Sequence, residues 1–372
     1  MNIFFPIHTF YPSQTGGPCN SVYAITKELS LLGHKIYILT TNIGIDKNKV
    51  KLNKFYKNKA GITYYDDSLS YLKWLKLMIY LLKRVDAIHI TSVFSPFSVF
   101  CFLITVIFFP HKKIIISPRG ELSEKALIYN QKKKKYVLKM YKFFRKNIYF
   151  HATSKKEYNE IKNFFPTAEV ITIPNLIKSP ERIHHPIQND FLFVGRIHPI
   201  KGIDRLIEAC AKSEKFLNSN YRLLIVGKGE KSQLTFYNNL LKIIEENHLH
   251  NKVIFLGHQD GKEKEKYYAQ SKFLFLTSDS ENFGNVVIEA LNQGTPVVAS
   301  LGTPWEILEE FKAGFHIQNS AEEIAKIFDK IIELPEEEYA AYRENAVKLV
   351  DQNYNIDSQF YKWIEAYQNV LK

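Results

Sequence analysis

Glu281-Asn-Phe-Gly-Asn-Val-Val-Ile-Glu289 follows a predicted strand and overlaps a predicted helix, and this order decides the fold class. The four apolar residues Phe273–Leu276 are typical of a buried parallel strand. Val286–Gln293 has the composition and apolar spacing of a helix. Residues 278–285 are therefore predicted to turn from strand to helix at the carboxyl edge of a sheet, where doubly wound α/β folds bind their ligands.

The predicted turn combines a glycine, a helix start and two carboxylates. Gly284 allows the backbone to approach a ligand closely. The free N–H groups at the start of the helix favour a phosphate. Glu281 and Glu289 would repel a phosphate, so we expect them to face another part of the ligand, such as the hydroxyls of a sugar. This combination favours a nucleotide sugar.

The pair Glu281 and Glu289 resembles the E-x7-E element of the retaining glycosyltransferases of family 4, the glycosyl transferases group 1, which adopt the GT-B fold. The next residues, Ala290-Leu-Asn-Gln-Gly-Thr-Pro-Val-Val-Ala-Ser300, resemble the continuation of that element almost position for position. Two glutamates at this spacing would indicate little alone, but the whole run rarely arises by chance. The alternative is an ordinary βαβ crossover with two solvated glutamates.

A second match lies upstream, in Gly195-Arg-Ile-His-Pro-Ile-Lys-Gly202, which is similar to the family's Gly-Arg-x4-Lys-Gly element. Two fixed cations after a strand, beside a glycine turn, suit a diphosphate leaving group. The resemblance implies that Arg196, Lys201 and Glu281 are catalytic. It implies donor binding by these residues: Gly16, Gly17, Gly227, Asn282, Phe283, Gly284, Asn285 and Glu289.

Two turns of the first predicted domain also resemble family elements. Gly16 and Gly17 precede a predicted helix, so their amides could face a phosphate, although their spacing does not match a dinucleotide fingerprint. Ser117-Pro-Arg-Gly-Glu121 ends a predicted strand at which family members often carry His-Gly. Arg119 stands in place of that histidine, so the histidine's role is not assigned to Arg119. Its planar, always charged group could bind a phosphate or an acceptor oxygen instead.

Length and composition are those of a globular chain with two domains. The 372 residues can bury two cores, and 45% are hydrophobic and 24% charged. Cys19, Cys101 and Cys210 have no metal-ligand spacing and form no even set, which favours a reducing compartment. The formal charge of +12 favours an anionic partner: nucleic acid, anionic lipid or a phosphorylated substrate.

The sequence also bears on location. Met1–Pro6 lacks the charged start of a secretory signal. Phe97–Phe109, an apolar run of 13 residues, is too short to span a bilayer and predicts a buried helix. Lys132–Lys146 carries eight basic residues opposite the apolar side chains of a helix. This segment predicts either an ordinary surface helix or a helix face that binds an anionic membrane leaflet. Each basic residue near such a leaflet would contribute ~1 kcal/mol of binding free energy. We expect a cytoplasmic protein that can also lie on the inner membrane face.

The resemblance covers nearly the whole chain and implies two Rossmann-like domains facing a cleft. Residues 1–178 would bind the acceptor, residues 187–352 the nucleotide sugar, and residues 353–372 would form a helix that packs back on the first domain. The implied reaction moves a hexose from a UDP- or GDP-sugar to a glycan or lipid-linked acceptor in envelope polysaccharide or lipopolysaccharide synthesis. No DxD motif is present. We therefore expect Arg196 and Lys201 to stabilise the departing diphosphate in place of a metal ion, and we expect no cofactor.

Three other functions are compatible with parts of the sequence. A nucleotide-sugar-binding subunit that regulates a partner would retain the same motifs without turnover, and Arg119 leaves this alternative open. A nucleic-acid-binding protein is suggested only by the charge, and we find no basic and aromatic motif on exposed strands. A GT-B epimerase or phosphorylase fits the Glu281–Glu289 block less well.

Overall fold

The computed structural model describes residues 1–13, 17–68, 70–128, 130–144, 146–178, 182–229 and 231–372. The chain divides into two compact units, which are described separately. The first is Met1–Leu176 together with Phe360–Lys372, and the second is Ile177–Gln359. Residues 353–359, predicted to belong to the returning segment, therefore fall in the second unit. Both units are α/β, as predicted.

The first unit is built on an eight-stranded sheet of order β3-β4-β2-β1-β5-β6-β7-β8. All neighbouring strands are parallel except β3 and β4, which pair as an antiparallel hairpin. The strands are β1 Asn2–Pro6, β2 Lys35–Thr41, β3 Phe55–Asn58, β4 Gly61–Asp66, β5 Ala87–Thr91, β6 Lys113–Ser117, β7 Ile148–Ala152 and β8 Glu169–Thr172. The helices are α1 Gly17–Leu31, α2 Tyr71–Leu82, α3 Pro96–Phe108, α4 Glu124–Leu127, α5 Gln131–Phe143 and α6 Lys155–Phe164, with the returning helix Tyr361–Leu371.

The second unit has a six-stranded parallel sheet of order β11-β10-β9-β12-β13-β14. Its strands are β9 Asp190–Val194, β10 Arg222–Val226, β11 Val253–Gly257, β12 Phe273–Leu276, β13 Val297–Ser300 and β14 Gly314–Ile317. Its helices are α7 Ile203–Lys212, α8 Glu214–Asn218, α9 Leu234–Glu246, α10 Gly261–Gln270, α11 Asn285–Asn292, α12 Ile307–Glu310, α13 Ala321–Ile332, α14 Glu336–Asn353 and α15 Ile356–Gln359; the returning helix is α16. The strand order reverses beside β9, which places a ligand crevice at the carboxyl ends of β9 and β12.

The apolar strands of the second sheet are buried on both faces. In β9, Phe191 and Phe193 belong to one hydrophobic cluster, whereas Leu192 and Val194 belong to another on the opposite face. Helices cover both faces of a parallel sheet, so both sets of alternating side chains must be apolar. This explains why Phe273–Leu276 reads as a continuous apolar run.

Three predicted elements differ from the structure. The β3–β4 hairpin was not predicted, because β3 is four residues long and carries a lysine and an asparagine. Lys132–Lys146 was predicted as one helix, but α5 ends at Phe143. Residues 353–372 were also predicted to form one helix, and the structure divides this region into α15 and α16.

A chain of buried hydrogen bonds ties α16 to the sheet of the first unit. Tyr367 Oη lies 2.7 Å from His89 Nδ1, His89 Nε2 lies 2.7 Å from Ser117 Oγ, and Ser117 Oγ lies 2.8 Å from His151 Nδ1. His151 Nε2 ends the chain 2.8 Å from the carbonyl oxygen of Ile173. That carbonyl can only accept a hydrogen bond. If both rings are neutral, each group therefore donates to the next in the order Tyr367, His89, Ser117, His151 and the carbonyl oxygen of Ile173.

Replacing Tyr367 by phenylalanine should destabilise the first unit by about 1–3 kcal/mol, because the buried Nδ1 of His89 would lose its donor. Urea unfolding followed by tryptophan fluorescence measures this change, since Trp363 packs against both histidines. Tyr361→Phe is the matched control on the same helix, where the side chain is about half exposed. An equal loss in both variants would contradict the hydrogen-bond chain.

The stability of the first unit should also depend on pH through His151. Burial, together with the positive charge of Arg119, lowers the pKa of His151 to about 3, against 6.5 for an ordinary histidine. Below pH 6.5 the unfolded chain binds a proton that the folded chain excludes, so stability falls as the pH falls towards 3. Between pH 6 and 4, the slope of unfolding free energy should be smaller in His151→Gln by about 1.4 kcal/mol per pH unit. Equal slopes in the two proteins would contradict this prediction, because they would show that His151 takes up its proton in the folded chain as readily as in the unfolded chain.

Candidate functional site

The turns after β9 and β12 are joined where the strand order of the second sheet reverses. Thr277 Oγ1 donates to the carbonyl oxygen of Lys201 at 2.9 Å. The backbone N–H of Asp279 donates to the carbonyl oxygen of Ile200 at 2.8 Å. The two predicted motifs, which are about 80 residues apart in sequence, therefore form one local structure at a strand edge suited to ligands.

Two glycines permit the close approach of these turns. Gly202 has φ 63°, and a Cβ atom there would lie under 3.0 Å from the carbonyl oxygen of Thr277. A Cβ atom on Gly302, in the turn after β13, would come equally close to the carbonyl oxygen of Asp279. Because no larger residue fits without a backbone shift, the turns can lie this close only with glycine at these two positions.

Lys201 and Glu281, two of the predicted catalytic residues, form an ion pair in this turn structure. Their side chains are 17% and 16% exposed, so the pair is only partly screened by water. Ser278 Oγ also donates to Glu281, at 3.0 Å. The positive charge of Lys201 is thus balanced by Glu281, and an incoming phosphate would compete with that carboxylate.

A second set of polar contacts, not predicted from the sequence, surrounds Asp279. Arg205 Nη2 lies 2.7 Å from Asp279 Oδ1. Asn319 Nδ2 donates both to the carbonyl oxygen of Thr277, at 2.7 Å, and to Asp279, at 3.1 Å. Arg205 follows the Gly195–Gly202 motif by three residues, and Asn319 lies 40 residues after Asp279. Neither belongs to a recognised motif, so nothing local indicated their role in holding the turn after β12.

Glu289 lies on α11 and contacts side chains of α10, whereas Glu281 contacts residues in the turns after β9 and β12. Its carboxylate lies 3.0 Å from Lys264 Nζ and accepts a hydrogen bond from Tyr268 Oη at 2.8 Å. Burial and then the charge of Glu289 raise the pKa of Tyr268, which keeps the phenol protonated as a donor. The two glutamates of the motif therefore have separate surroundings. Lys264 and Tyr268 were not predicted, since α10 carries no recognisable motif.

The start of α11 is shaped by Gly284, which has φ 84°. Phe283, predicted to bind the donor, is 5% exposed, and its ring packs against Trp305 and Tyr354. The indole Nε1 of Trp305 donates to the carbonyl oxygen of Phe283. The ring of Phe283 therefore belongs to the core, and only its backbone can face a ligand. Asn282 and Asn285 are partly exposed on either side.

The other predicted residues are placed as follows. Arg196 is exposed in the turn after β9. Gly227 follows β10, and a Cβ atom there would lie under 3.0 Å from the carbonyl oxygen of Gly195. In the first unit, Gly17 begins α1 and is exposed. Gly16 lies outside the described residues.

Arg119 lies in a left-handed turn after β6, with φ 56°. Its Nη1 donates to Asn175 Oδ1 at 2.8 Å. Its Nε and Nη2 atoms are buried and, within the described part of the chain, have no hydrogen-bond partner. Burial lowers the pKa of Arg119, and the charge of Glu157 opposes that shift. Arg119 thus presents unused donors, as a phosphate or acceptor ligand would require.

Among the described residues, no three His, Cys, Asp or Glu side chains are grouped so that they could hold a metal ion. In the same ranges, no helix has both the length and the apolar content needed to cross a bilayer.

The sequence comparisons find similarity to glycosyltransferases. A family model described as "Glycosyl transferases group 1" matches residues 178–349. A D-inositol 3-phosphate glycosyltransferase of Mycobacterium sp. (strain KMS) is 35% identical over 115 residues, which are 31% of this chain and 25% of that protein. The chain thus matches about a quarter of the length of this relative. An uncharacterized glycosyltransferase of Methanocaldococcus jannaschii is 24% identical over 100% of this chain and 97% of its own.

The structural comparison covers the whole chain. The structure of Alr3699/HepE from Anabaena, in complex with UDP and glucose, superimposes with a TM-score of 0.77 and 18% sequence identity. The match covers 99% of this chain and 100% of that one. The predicted GT-B fold is confirmed.

Proposed function

We propose, since residues 178–349 match the family model of the glycosyl transferases group 1, that this GT-B protein transfers a sugar from a nucleotide-sugar donor to an acceptor hydroxyl. The observation that carries the proposal is the meeting of Lys201 and Glu281 at the reversal of strand order, inside the matched segment. A lysine for the diphosphate and a carboxylate for the sugar hydroxyls stand side by side there, as a nucleotide sugar requires.

Each side chain of the site has a role in this proposal. Arg196 and Lys201 bind the diphosphate and stabilise the charge that develops on it as it leaves. Glu281 accepts from hydroxyls of the donor sugar, while Glu289, held by Lys264 and Tyr268, accepts from the ribose. The donor phosphate takes over part of the Lys201 contact with Glu281, which frees that carboxylate for the sugar.

The proposed stereochemical course is retention. The acceptor oxygen bonds to the anomeric carbon on the face from which the diphosphate departs, and a leaving phosphate oxygen takes the acceptor proton. No separate base is needed in this course. We propose a hexosyl transfer without a metal, because two cations already flank the diphosphate position. We also propose a UDP- or GDP-sugar as the donor; UDP is bound in the Anabaena neighbour.

Nucleotide release tests the proposal. The full chain is incubated with UDP-, GDP- and ADP-sugars, each alone and with a membrane extract as the source of acceptors, with or without EDTA. We expect release from at least one donor, increased by the extract and retained in EDTA. Binding of a nucleotide sugar without any release would indicate the regulatory-subunit alternative. Loss in EDTA that Mg²⁺ restores would contradict the metal-free course.

We further propose that the acceptor belongs to cell-envelope polysaccharide or lipopolysaccharide synthesis and is reached from the inner membrane face. The support is the outward face of α5. Leu138 and Tyr141 are buried against the first unit. The rest of the helix surface exposes five lysines together with Tyr136 and Phe143, which are 74% and 80% exposed. Those lysines are Lys132, Lys133, Lys135, Lys139 and Lys142. Basic and aromatic side chains on one helix face suit an anionic interface.

Liposome binding should increase with anionic lipid content and decrease with salt, because exposed charges are screened within ~8 Å at physiological ionic strength. Replacing Lys135, Lys139 and Lys142 by glutamate should abolish this binding, as measured by vesicle co-sedimentation. The matched control replaces the exposed lysines of the second unit, Lys242, Lys326 and Lys348, by glutamate and should retain binding. Binding that is indifferent to lipid charge and salt would contradict the proposed face.

A further inference from the structure

The first unit contains a cavity of about 400 Å³ that the proposed donor site does not use. It lies between α1, the β3–β4 hairpin and the segment that follows β1. Four tyrosines and two lysines contribute to its lining: Tyr11, Tyr23, Tyr56, Tyr65, Lys49 and Lys59. A volume in this range is typical of pockets that enclose a small ligand.

The tyrosines are arranged as two stacked pairs. The rings of Tyr11 and Tyr23 have centroids 4.1 Å apart at an interplanar angle of 21°. Those of Tyr56 and Tyr65 are 6.1 Å apart at 24°. Tyr65 is buried, and its hydroxyl donates to the carbonyl oxygen of Tyr11, which links the pairs. Tyr11 is 40% exposed, so part of an aromatic surface remains open to a ligand.

The cavity is bordered by a basic segment of the first unit. Residues 47–59 contain six lysines and no acidic residue. Lys49 and Lys59 are exposed at the cavity, and Lys51 Nζ lies 5.8 Å from the centre of the Tyr56 ring. Charges of one sign around a concave surface raise the local concentration of the opposite charge. The ligand of this cavity should therefore be anionic.

We infer that this cavity binds an anionic saccharide, that is, a sugar bearing a carboxylate or phosphate group. The C–H faces of a sugar ring stack on the negative faces of tyrosine rings, and the lysines pair with its charged group. The inference rests on the proposed function and deepens it, because it makes the acceptor an acidic glycan. An oligonucleotide would need an extended row of exposed rings, whereas these tyrosines close around a pocket.

Calorimetric titration of the full chain tests the inference with two probes of equal length, hexagalacturonate and maltohexaose. We expect the acidic hexasaccharide to bind at least tenfold more tightly than the neutral one, with an affinity that decreases as salt increases. The double variant Lys49→Glu/Lys59→Glu should weaken hexagalacturonate binding at least tenfold. The matched control Lys242→Glu/Lys348→Glu has the same change of charge in the second unit and should bind as the unchanged protein does.

A third variant tests the aromatic surface. Tyr56→Leu preserves bulk but removes the ring face, and it should weaken hexagalacturonate while circular dichroism stays unchanged. Equal binding of both hexasaccharides, an equal loss in the control, or tighter binding of the oligonucleotide dT6 would overturn the inference. UDP titration of the same variants is a separate readout. If UDP fails to bind but hexagalacturonate does, the proposed donor site is wrong and the saccharide cavity stands.

Discussion

Replacing Lys201 by alanine should lower kcat/KM for sugar transfer roughly a hundredfold, equivalent to ~3 kcal/mol of transition-state stabilisation. The side chain is fixed by its ion pair with Glu281 and is only 17% exposed, so its charge acts in a partly water-excluded site. The variant should also bind UDP more weakly while binding of uridine stays the same. Steady-state kinetics with the active donor and calorimetry with both nucleotides measure these effects.

Two further variants show whether the charge of Lys201 acts through the site. Lys212→Ala, on α7, removes an exposed lysine paired with Glu322 and should leave kcat/KM unchanged. Because Lys201 and Glu281 touch, the double variant Lys201→Ala/Glu281→Gln should lose less than the sum of the single losses. Equal weakening of UDP and uridine in Lys201→Ala would place this lysine away from the phosphates.

Replacing Gly227 by alanine should destabilise the second unit by more than about 3 kcal/mol, because the new Cβ would lie under 3.0 Å from the carbonyl oxygen of Gly195. Relief requires the ends of β9 and β10 to separate, and the hydrogen bond from Gly195 N–H to the carbonyl oxygen of Val226 lies at that point. Urea unfolding followed by circular dichroism measures the loss. Nucleotide affinity should fall with it, since Arg196 extends from the same turn.

Gly229→Ala is the matched control two residues later. Within the described ranges, its Cβ would lie within 4 Å of the Cβ of Ile197 alone, at 4.0 Å, which is an ordinary contact. We expect a change within about 0.5 kcal/mol, as for most substitutions outside strained or tightly packed positions. If the two variants are equally stable, the backbone of the turns after β9 and β10 can shift to accommodate the new Cβ at a lower free-energy cost than their packing indicates.

The sequence was most informative where a function depends on neighbouring residues. The strand, glycine and helix signals around Gly284 lie within about 20 residues of one another. Arg196 and Lys201 likewise lie close together, within one short motif. Local patterns of this kind predicted the turns, and their resemblance to family elements implied the GT-B fold. Phe283 shows the limit, because a motif position does not reveal whether a ring faces the ligand or the core.

Contacts between distant segments could not be predicted. Asn319 holds the turn after β12 from about 40 residues away. The partners of Glu289 lie on α10, whose surface pattern is that of an ordinary polar helix. Such pairs depend on strand order and helix placement, which one sequence does not encode locally. The β3–β4 hairpin was missed for a related reason, since β3 joins the sheet by pairing with β4, which in turn pairs with β2, and neither strand is an apolar run.

The return of α16 to the first unit bears on how the protein is made. A ribosome synthesises residues 1–176 first, then residues 177–359, and only afterwards the segment that contains Trp363 and Tyr367. Until then His89 lacks its hydroxyl donor, and both histidines lack the indole packed against them in the finished protein. The second unit can complete its own core earlier, since its segment is continuous. During translation, the N-terminal half therefore waits for the chain's last helix, which leaves it the more exposed half to proteases and chaperones.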